Sequence, residues 1–168
     1  MLLLRVLGTS DWPVWRDVRL AALSDAPEAF KPRLADWRRG GEDEWGARLH
    51  LPGAHNVVAE LDGHAVGIVR GVPIDEVSGE LRSLWVAPQA RGRGVADRLI
   101  RSVEAWARRS GVSRLELSVL PDNAPALALY ERHGFVRKEE RGDVPPEPGD
   151  REIAMTKPLP LTPSASTI

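Results

Sequence analysis

The chain has no cysteine, which excludes disulfides, a thiolate nucleophile and any thiolate metal site. Its histidines, His50, His55, His64 and His133, show no paired ligand spacing, and no structural or catalytic metal is expected. Neither sign of charge dominates: 23 basic side chains face 24 acidic ones for a net charge of -1. The counterion release that drives nonspecific nucleic-acid binding therefore has no global source, and a nucleic-acid partner is not expected. Long apolar runs are lacking as well. Met1-Leu2-Leu3-Leu4 reaches Arg5 at once, without a basic leader or a small-residue cleavage site, and reads as a strand. No membrane partner is expected, and the cytoplasm is the default location. What remains is 168 residues with a hydrophobic share of 42%, enough for one sizeable core and one domain. There is no internal repeat and no break in composition. The domain is expected over residues 1–158, with 159–168 a disordered tail.

Along the chain, Leu2 to Leu7 is a short strand followed by the possible caps Thr9, Ser10 and Asp11, then a helix with Pro13 in its first turn and Val14, Val18 and Ala21 on one face. That helix fades near Pro27. Further helical stretches surround Leu34, Trp37 and Trp45. Asn56 to Leu61 and Ala65 to Val72 are β-rich runs joined by Asp62-Gly63, a dipeptide suited to a tight hairpin. Strand and helix then alternate: Glu80 to Val86 a strand, Val95 to Arg109 a helix, Arg114 to Leu120 a strand, Ala124 to His133 a helix that Gly134 can terminate. Alternation predicts parallel pairing in the middle of a mixed sheet, closed by antiparallel strands at Phe135 to Arg141 and Glu152 to Thr156. The Pro-rich stretch from Asp143 to Asp150 cannot hold a ladder and reads as a loop over a neighbouring cleft.

Val86-Ala87-Pro88-Gln89-Ala90-Arg91-Gly92-Arg93-Gly94-Val95-Ala96 ends a strand and opens a helix with little room between them. A first helical turn has unpaired N–H groups and a positive dipole end, and Gly92 and Gly94 let a phosphate approach the backbone closely. Alone, such a turn is as often a plain tight connection. The Gly-Lys-Ser/Thr ending of a nucleoside triphosphate loop is missing, and so is the dinucleotide spacing Gly-x-Gly-x-x-Gly. Gln89-Ala90-Arg91-Gly92-Arg93-Gly94, preceded by Leu84-Trp85-Val86 and followed by an amphipathic helix, resembles the Gln/Arg-x-x-Gly-x-Gly/Ala signature of the GNAT family of N-acetyltransferases. Further on, Leu117-Ser118-Val119, Asn123 and the run Ala126 to Phe135 with Tyr130 and Gly134 resemble that family's later strand, Asn, Tyr helix and Gly-Phe. Two motifs in the right order carry the resemblance over about a hundred residues. By spacing, Asn123 and Tyr130 can share one side of a helix. An ordinary helix cap also explains Asn123, and a core aromatic also explains Tyr130.

The resemblance implies an α/β (α+β) fold: a mixed, mostly antiparallel sheet of six to seven strands flanked by about four helices. It implies acetyl-CoA as co-substrate, held by Leu84, Trp85, Val86, Gln89, Arg91, Gly92, Arg93, Gly94, Val95, Ala96, Asn123 and Tyr130, and a primary amine on a small molecule or peptide as acceptor. A lysine-like amine with a pKa near 10.4 must lose a proton before attack, at a cost of about 4 to 5 kcal/mol at pH 7. The neutral amine would attack the thioester directly, a backbone N–H near Val86 would stabilise the oxyanion, and Tyr130 would protonate the leaving thiolate. Against ordinary values that last transfer is uphill by only about 2 kcal/mol. Strand alternation puts Glu80, Arg82, Leu84 and Val86 on one face, and Glu80 falls where lysine-acetylating relatives place their glutamate, which makes it the candidate base. Relatives that acetylate protein N-termini have a glutamate where this chain has Ser118, so a water relay through Ser118 is the substitute. The alternatives are a noncatalytic acyl-CoA sensor and an acyltransferase for a longer acyl-CoA. Acceptor choice is expected to reside with Trp12, Trp15, Phe30, Trp37, Trp45 and the Pro-rich loop. Exposed sheet edges allow a homodimer.

Overall fold

The apolar run at the start of the chain forms β1 (Leu2–Val6), and the helix expected after it runs as α1 (Trp12–Asp25). The structure is a computed structural model that describes residues 1–25, 49, 51–138 and 152–160. β2 (His55–Leu61) and β3 (His64–Pro73) make the expected hairpin. Asp62 and Gly63 at its tip have φ of 51° and 86°, the left-handed pair whose twist matches that of the flanking strands. Then come β4 (Ser78–Val86), a short 3-10 turn at Pro88–Ala90, α2 (Val95–Arg109), β5 (Arg114–Val119), α3 (Ala124–Arg132), β6 (Val136–Arg137) and β7 (Ile153–Pro158).

Seven strands form one sheet in the order β1-β2-β3-β4-β5-β7-β6. Every neighbouring pair is antiparallel except β4 and β5, so the mixed, mostly antiparallel α/β architecture is as expected. Three helices fall among the described residues, against about four expected. The helical stretches around Leu34, Trp37 and Trp45 and the Pro-rich loop lie outside the described residues. The strand expected over Phe135 to Arg141 is shorter, Val136–Arg137. At the other end Leu159 is 2% exposed and donates its N–H to Ser113 O at 2.7 Å. The packed chain therefore runs one residue past the expected domain end; 161–168 lie outside the described residues.

The two faces of the sheet carry different helices. α2 buries Val95, Leu99, Ile100, Val103, Trp106 and Ala107, each large apolar side chain contributing about 1.5–3 kcal/mol of transfer free energy. It lies close because β3 turns glycines toward it: a Cβ on Gly71 would stand 2.5 Å from Trp106 Cε3, and one on Gly67 3.2 Å from Leu99 Cδ1. α1 covers the opposite face, where the Arg70 guanidinium lies 5.4 Å from the Trp15 ring and Arg70 Nε donates to Asn56 Oδ1 at 2.7 Å. Trp15 is 1% exposed and is a packing residue.

Candidate active site

β4 and β5 pair only through Ser78↔Arg114, Gly79↔Leu115 and Glu80↔Glu116. Beyond this β4 keeps β3 as its partner up to Val86 and β5 keeps β7 up to Val119, so the two inner edges separate and leave a gap in the sheet. Backbone groups lining such a gap need partners. Because the two strands are parallel, both carboxyl ends lie at the same end of the gap. There β4 leads through the turn at 87–94 into α2, and β5 leads through 120–123 into α3. Ligands of sheets with parallel strands bind outside carboxyl ends that diverge in this way.

The β4 edge carries a bulge. Ile68 pairs with Trp85 and Arg70 with Arg82, so Ser83 and Leu84 together oppose Val69, and Ser83 has φ 60°. This corrects the expected alternation. Paired residues share a face, so Trp85, and neither Leu84 nor Val86, joins Glu80 and Arg82 on the α1 side; Val86, opposite Gly67, turns to the α2 side. Ala87 N–H donates to Val66 O at 2.7 Å. Since adjacent residues of a strand direct their polar groups to opposite edges, Val86 directs its N–H and C=O into the gap. The C=O accepts from Arg91 Nε at 3.1 Å.

In the turn, Gly92 and Gly94 both have φ 78°, and a Cβ on either would meet nothing within 4 Å. Glycine is needed there for backbone conformation, and the space above it is open. Gly94 is the N-cap of α2, and the first helical bond is Arg98 N–H to Gly94 O at 3.2 Å. The amides of Val95, Ala96 and Asp97 therefore have no intrahelical acceptor and sit at the positive end of the helix. Gln89 and Arg93 are exposed on the rim, and Val95 is buried beneath it.

Across the gap, Asn123 Oδ1 caps α3 by accepting from Ala126 N–H at 3.3 Å. Tyr130 is 8% exposed and edge-on to Phe135 at 5.8 Å. Burial raises its phenol pKa well above the ordinary tyrosine value, so it holds its proton throughout the neutral range. The end of α3 is tied to the first turn of α2: His133 Nε2 lies 2.6 Å from Asp97 Oδ1, and Arg132 Nη2 donates to the same oxygen at 3.1 Å. Those bonds, first from His133 and then from Arg132, hold the Asp97 carboxyl below its ordinary value.

Glu80 stands on the α1 face, with Arg82 Nε 2.6 Å from its Oε1. Beside it across the ladder is Glu116, which accepts from Lys138 Nζ at 2.8 Å and lies 3.5 Å from Arg114 Nε. Leu115, Leu117 and Val119 are buried on the other face, and exposed Ser118 follows Glu116. Sequence reading did not single out Glu116. The signal for it was the buried alternation of β5, but the parallel register that sets it beside Glu80 is not written locally. No group of three or more metal-ligating side chains occurs among the described residues. No described helix is long and apolar enough to cross a membrane.

Residues 16–135 match the Acetyltransferase (GNAT) family. The chain belongs to this family. It is 34% identical over 131 residues to the mycothiol acetyltransferase of Salinispora arenicola (strain CNS-205), covering 77% of this chain and 42% of that protein. It is 34% identical over 113 residues to the IAA acetyltransferase of Azospirillum brasilense, covering 66% of this chain and 72% of that one. The chain thus spans less than half of the first relative and most of the second. Its fold matches the PaiA N-acetyltransferase of Thermoplasma acidophilum, solved in complex with coenzyme A, with a TM-score of 0.72 at 16% identity over 95% of this chain and 99% of that one. The family match covers most of the described core, from within α1 to just past the end of α3.

Proposed function

We propose that this GNAT domain transfers an acetyl group from acetyl-CoA to a primary amine by direct attack in a ternary complex. The observation that carries the reading is the parting of β4 and β5 after three pairs, with an anion-binding turn at the end of one strand and a capped helix bearing a buried phenol after the other. Coenzyme A combines a diphosphate with an amide-bearing arm. The amides from Gly92 to Ala96 suit the diphosphate, Leu84, Trp85 and Val86 form the edge beside the arm with Val86 offering its backbone groups, and Gln89, Arg91 and Arg93 rim the turn. Asn123 caps its helix at the same end and lies beside the arm's path.

In this reading the Val86 N–H meets the oxyanion that develops on amine attack. Tyr130 gives its proton to the departing thiolate. Burial raises the phenol above its ordinary value, so this transfer costs more than the about 2 kcal/mol that ordinary phenol and thiol values give. Glu80, or a water held by Ser118, takes the amine proton from the α1 side. The acceptor is an amine on a small molecule or peptide. A homodimer would form on the sheet edges, where Leu3, Val6 and Val136 are exposed, and sedimentation tests for it directly. The cytoplasm is the compartment we assign, for fractionation to check.

The test is free-thiol release from acetyl-CoA across polyamines, aminoglycosides, amino acids and peptides. Amine-dependent release supports the reading; tight coenzyme A binding without release for any acceptor would replace it with the sensor, and no binding would overturn it.

A further inference from the structure

Asp25 is the last of the described residues of α1. Its contacts reach far along the chain. Asp25 Oδ2 accepts from Trp85 Nε1 at 2.9 Å and from Arg91 Nη2 at 2.7 Å. Trp85 and Arg91 bracket Val86 and the start of the turn. Arg91 uses its remaining reach on the Val86 carbonyl, with Nε donating at 3.1 Å. One carboxylate thus holds the guanidinium that holds the Val86 peptide, and holds the side chain of the residue before it. Val86 sits just past the bulge, where ladder pairing alone fixes the strand less firmly.

We propose that Asp25 is a positioning residue for acetyl transfer, acting through Arg91 and Trp85 to fix the orientation of the Val86 peptide whose N–H faces the gap. This rests on the reading of Val86 as the oxyanion donor. An N–H aimed at an oxyanion acts in the transition state and little in the ground state, so the consequence falls on turnover. Donor affinity changes less, because removing the carboxylate also removes a negative charge beside the turn that receives a diphosphate, and this offsets any loosening of the turn. The helix that covers the Glu80 face thereby becomes part of the donor side's geometry.

The experiment compares wild type, Asp25→Asn, Arg91→Gln and the double variant for kcat, for KM of acetyl-CoA, for coenzyme A dissociation constant by calorimetry and for melting temperature. Asparagine keeps the size and an acceptor oxygen for Trp85 but loses the charge that holds Arg91. Asp25→Asn is expected to lower kcat roughly 3- to 10-fold, with the coenzyme A dissociation constant and donor KM within about twofold and the melting temperature nearly unchanged. Because Asp25 acts through Arg91, the double variant should have the kcat of Arg91→Gln alone. Arg91→Gln also reaches the contact from the turn side should Asp25→Asn fold poorly, and is expected to show at least the same loss in kcat. Unchanged kcat in a folded Asp25→Asn, or losses that multiply in the double variant, would overturn the proposal while leaving the acetyltransferase reading intact. A wild type that binds no coenzyme A would overturn both.

Discussion

The two edges of β4 are built from one strand and do opposite things. Toward β3 the ladder runs antiparallel from Pro73↔Gly79 to Gly67↔Val86, interrupted once by the bulge, and α2 packs so closely over it that glycine is the residue that fits at position 71. Toward β5 the ladder is parallel and ends after Glu80↔Glu116. One edge satisfies its backbone within the protein. The other keeps backbone groups for something else, and the candidate donors and acids collect around it. The proposed function rests on this interruption of regular structure: a fully paired β5 edge would leave Val86 N–H inside a ladder and no passage between the α1 and α2 faces. In the proposed reading it also divides labour, Glu80 acting from the α1 face and Tyr130, on the α3 helix tied to Asp97 of α2, from the other.

The largest effect should come from the gap itself. Tyr130→Phe removes the proton and keeps the ring against Phe135, so kcat is expected to fall by about 10²- to 10⁴-fold with coenzyme A binding retained by calorimetry. Full turnover in the phenylalanine variant would leave the phenol a core residue. Next comes the opposite face: Glu80→Gln is expected to lower kcat/KM at pH 7 by about 10²-fold. The deficit should shrink as pH rises toward about 10, where a lysine-like amine loses its proton unaided. A constant deficit across the pH profile would assign the loss to the Arg82 contact and not to a base.

How far this contrast is legible in the sequence depends on whether the signal is local. The turn is local: Gly92, Gly94 and the apolar stripe of α2 are visible as letters, and both glycines do take the left-handed conformation the turn needs. The Asp62-Gly63 hairpin and the cap at Asn123 are visible for the same reason. The parting of β4 and β5 is not, because register between strands joined by a helix depends on tertiary packing. The bulge is hidden too: Ser83 looks like any strand residue, so simple alternation misplaced Leu84 and Val86 relative to Glu80. Glu116 and Asp25 were missed on the same ground. Each matters through a partner distant in sequence, Glu80 in one case, Trp85 and Arg91 in the other.

The closed side of the strand can be broken without touching the chemistry. Gly71→Ala would place a Cβ 2.5 Å from Trp106 Cε3, a contact that only movement of the helix or the indole can relieve. Overpacking of this kind costs about 1–3 kcal/mol, which for a domain of this size lowers the melting temperature by roughly 3–10 °C. The coenzyme A dissociation constant of the folded variant should be unchanged. A variant as stable as wild type would show that α2 rides loosely on β3 and that the closed edge is less rigid than its packing indicates.

The smallest effect concerns the tie between α3 and α2. Asp97 has a folded pKa below its ordinary value, so its contribution to stability is present above the unfolded carboxylate pKa and is lost as pH falls through the folded value. Its side chain is 33% exposed, and screening keeps the net contribution of such a pair to about 0–1 kcal/mol. Asp97→Asn should therefore lower stability only slightly at pH 7 and should flatten the decline of melting temperature below about pH 4. The same variant is expected to lower kcat more than its stability change implies, since it loosens the helix carrying Tyr130 against the helix that opens the turn. Equal kcat with an unchanged acid limb would reduce the tie to a surface ion pair and leave the position of Tyr130 to the packing of Phe135 alone.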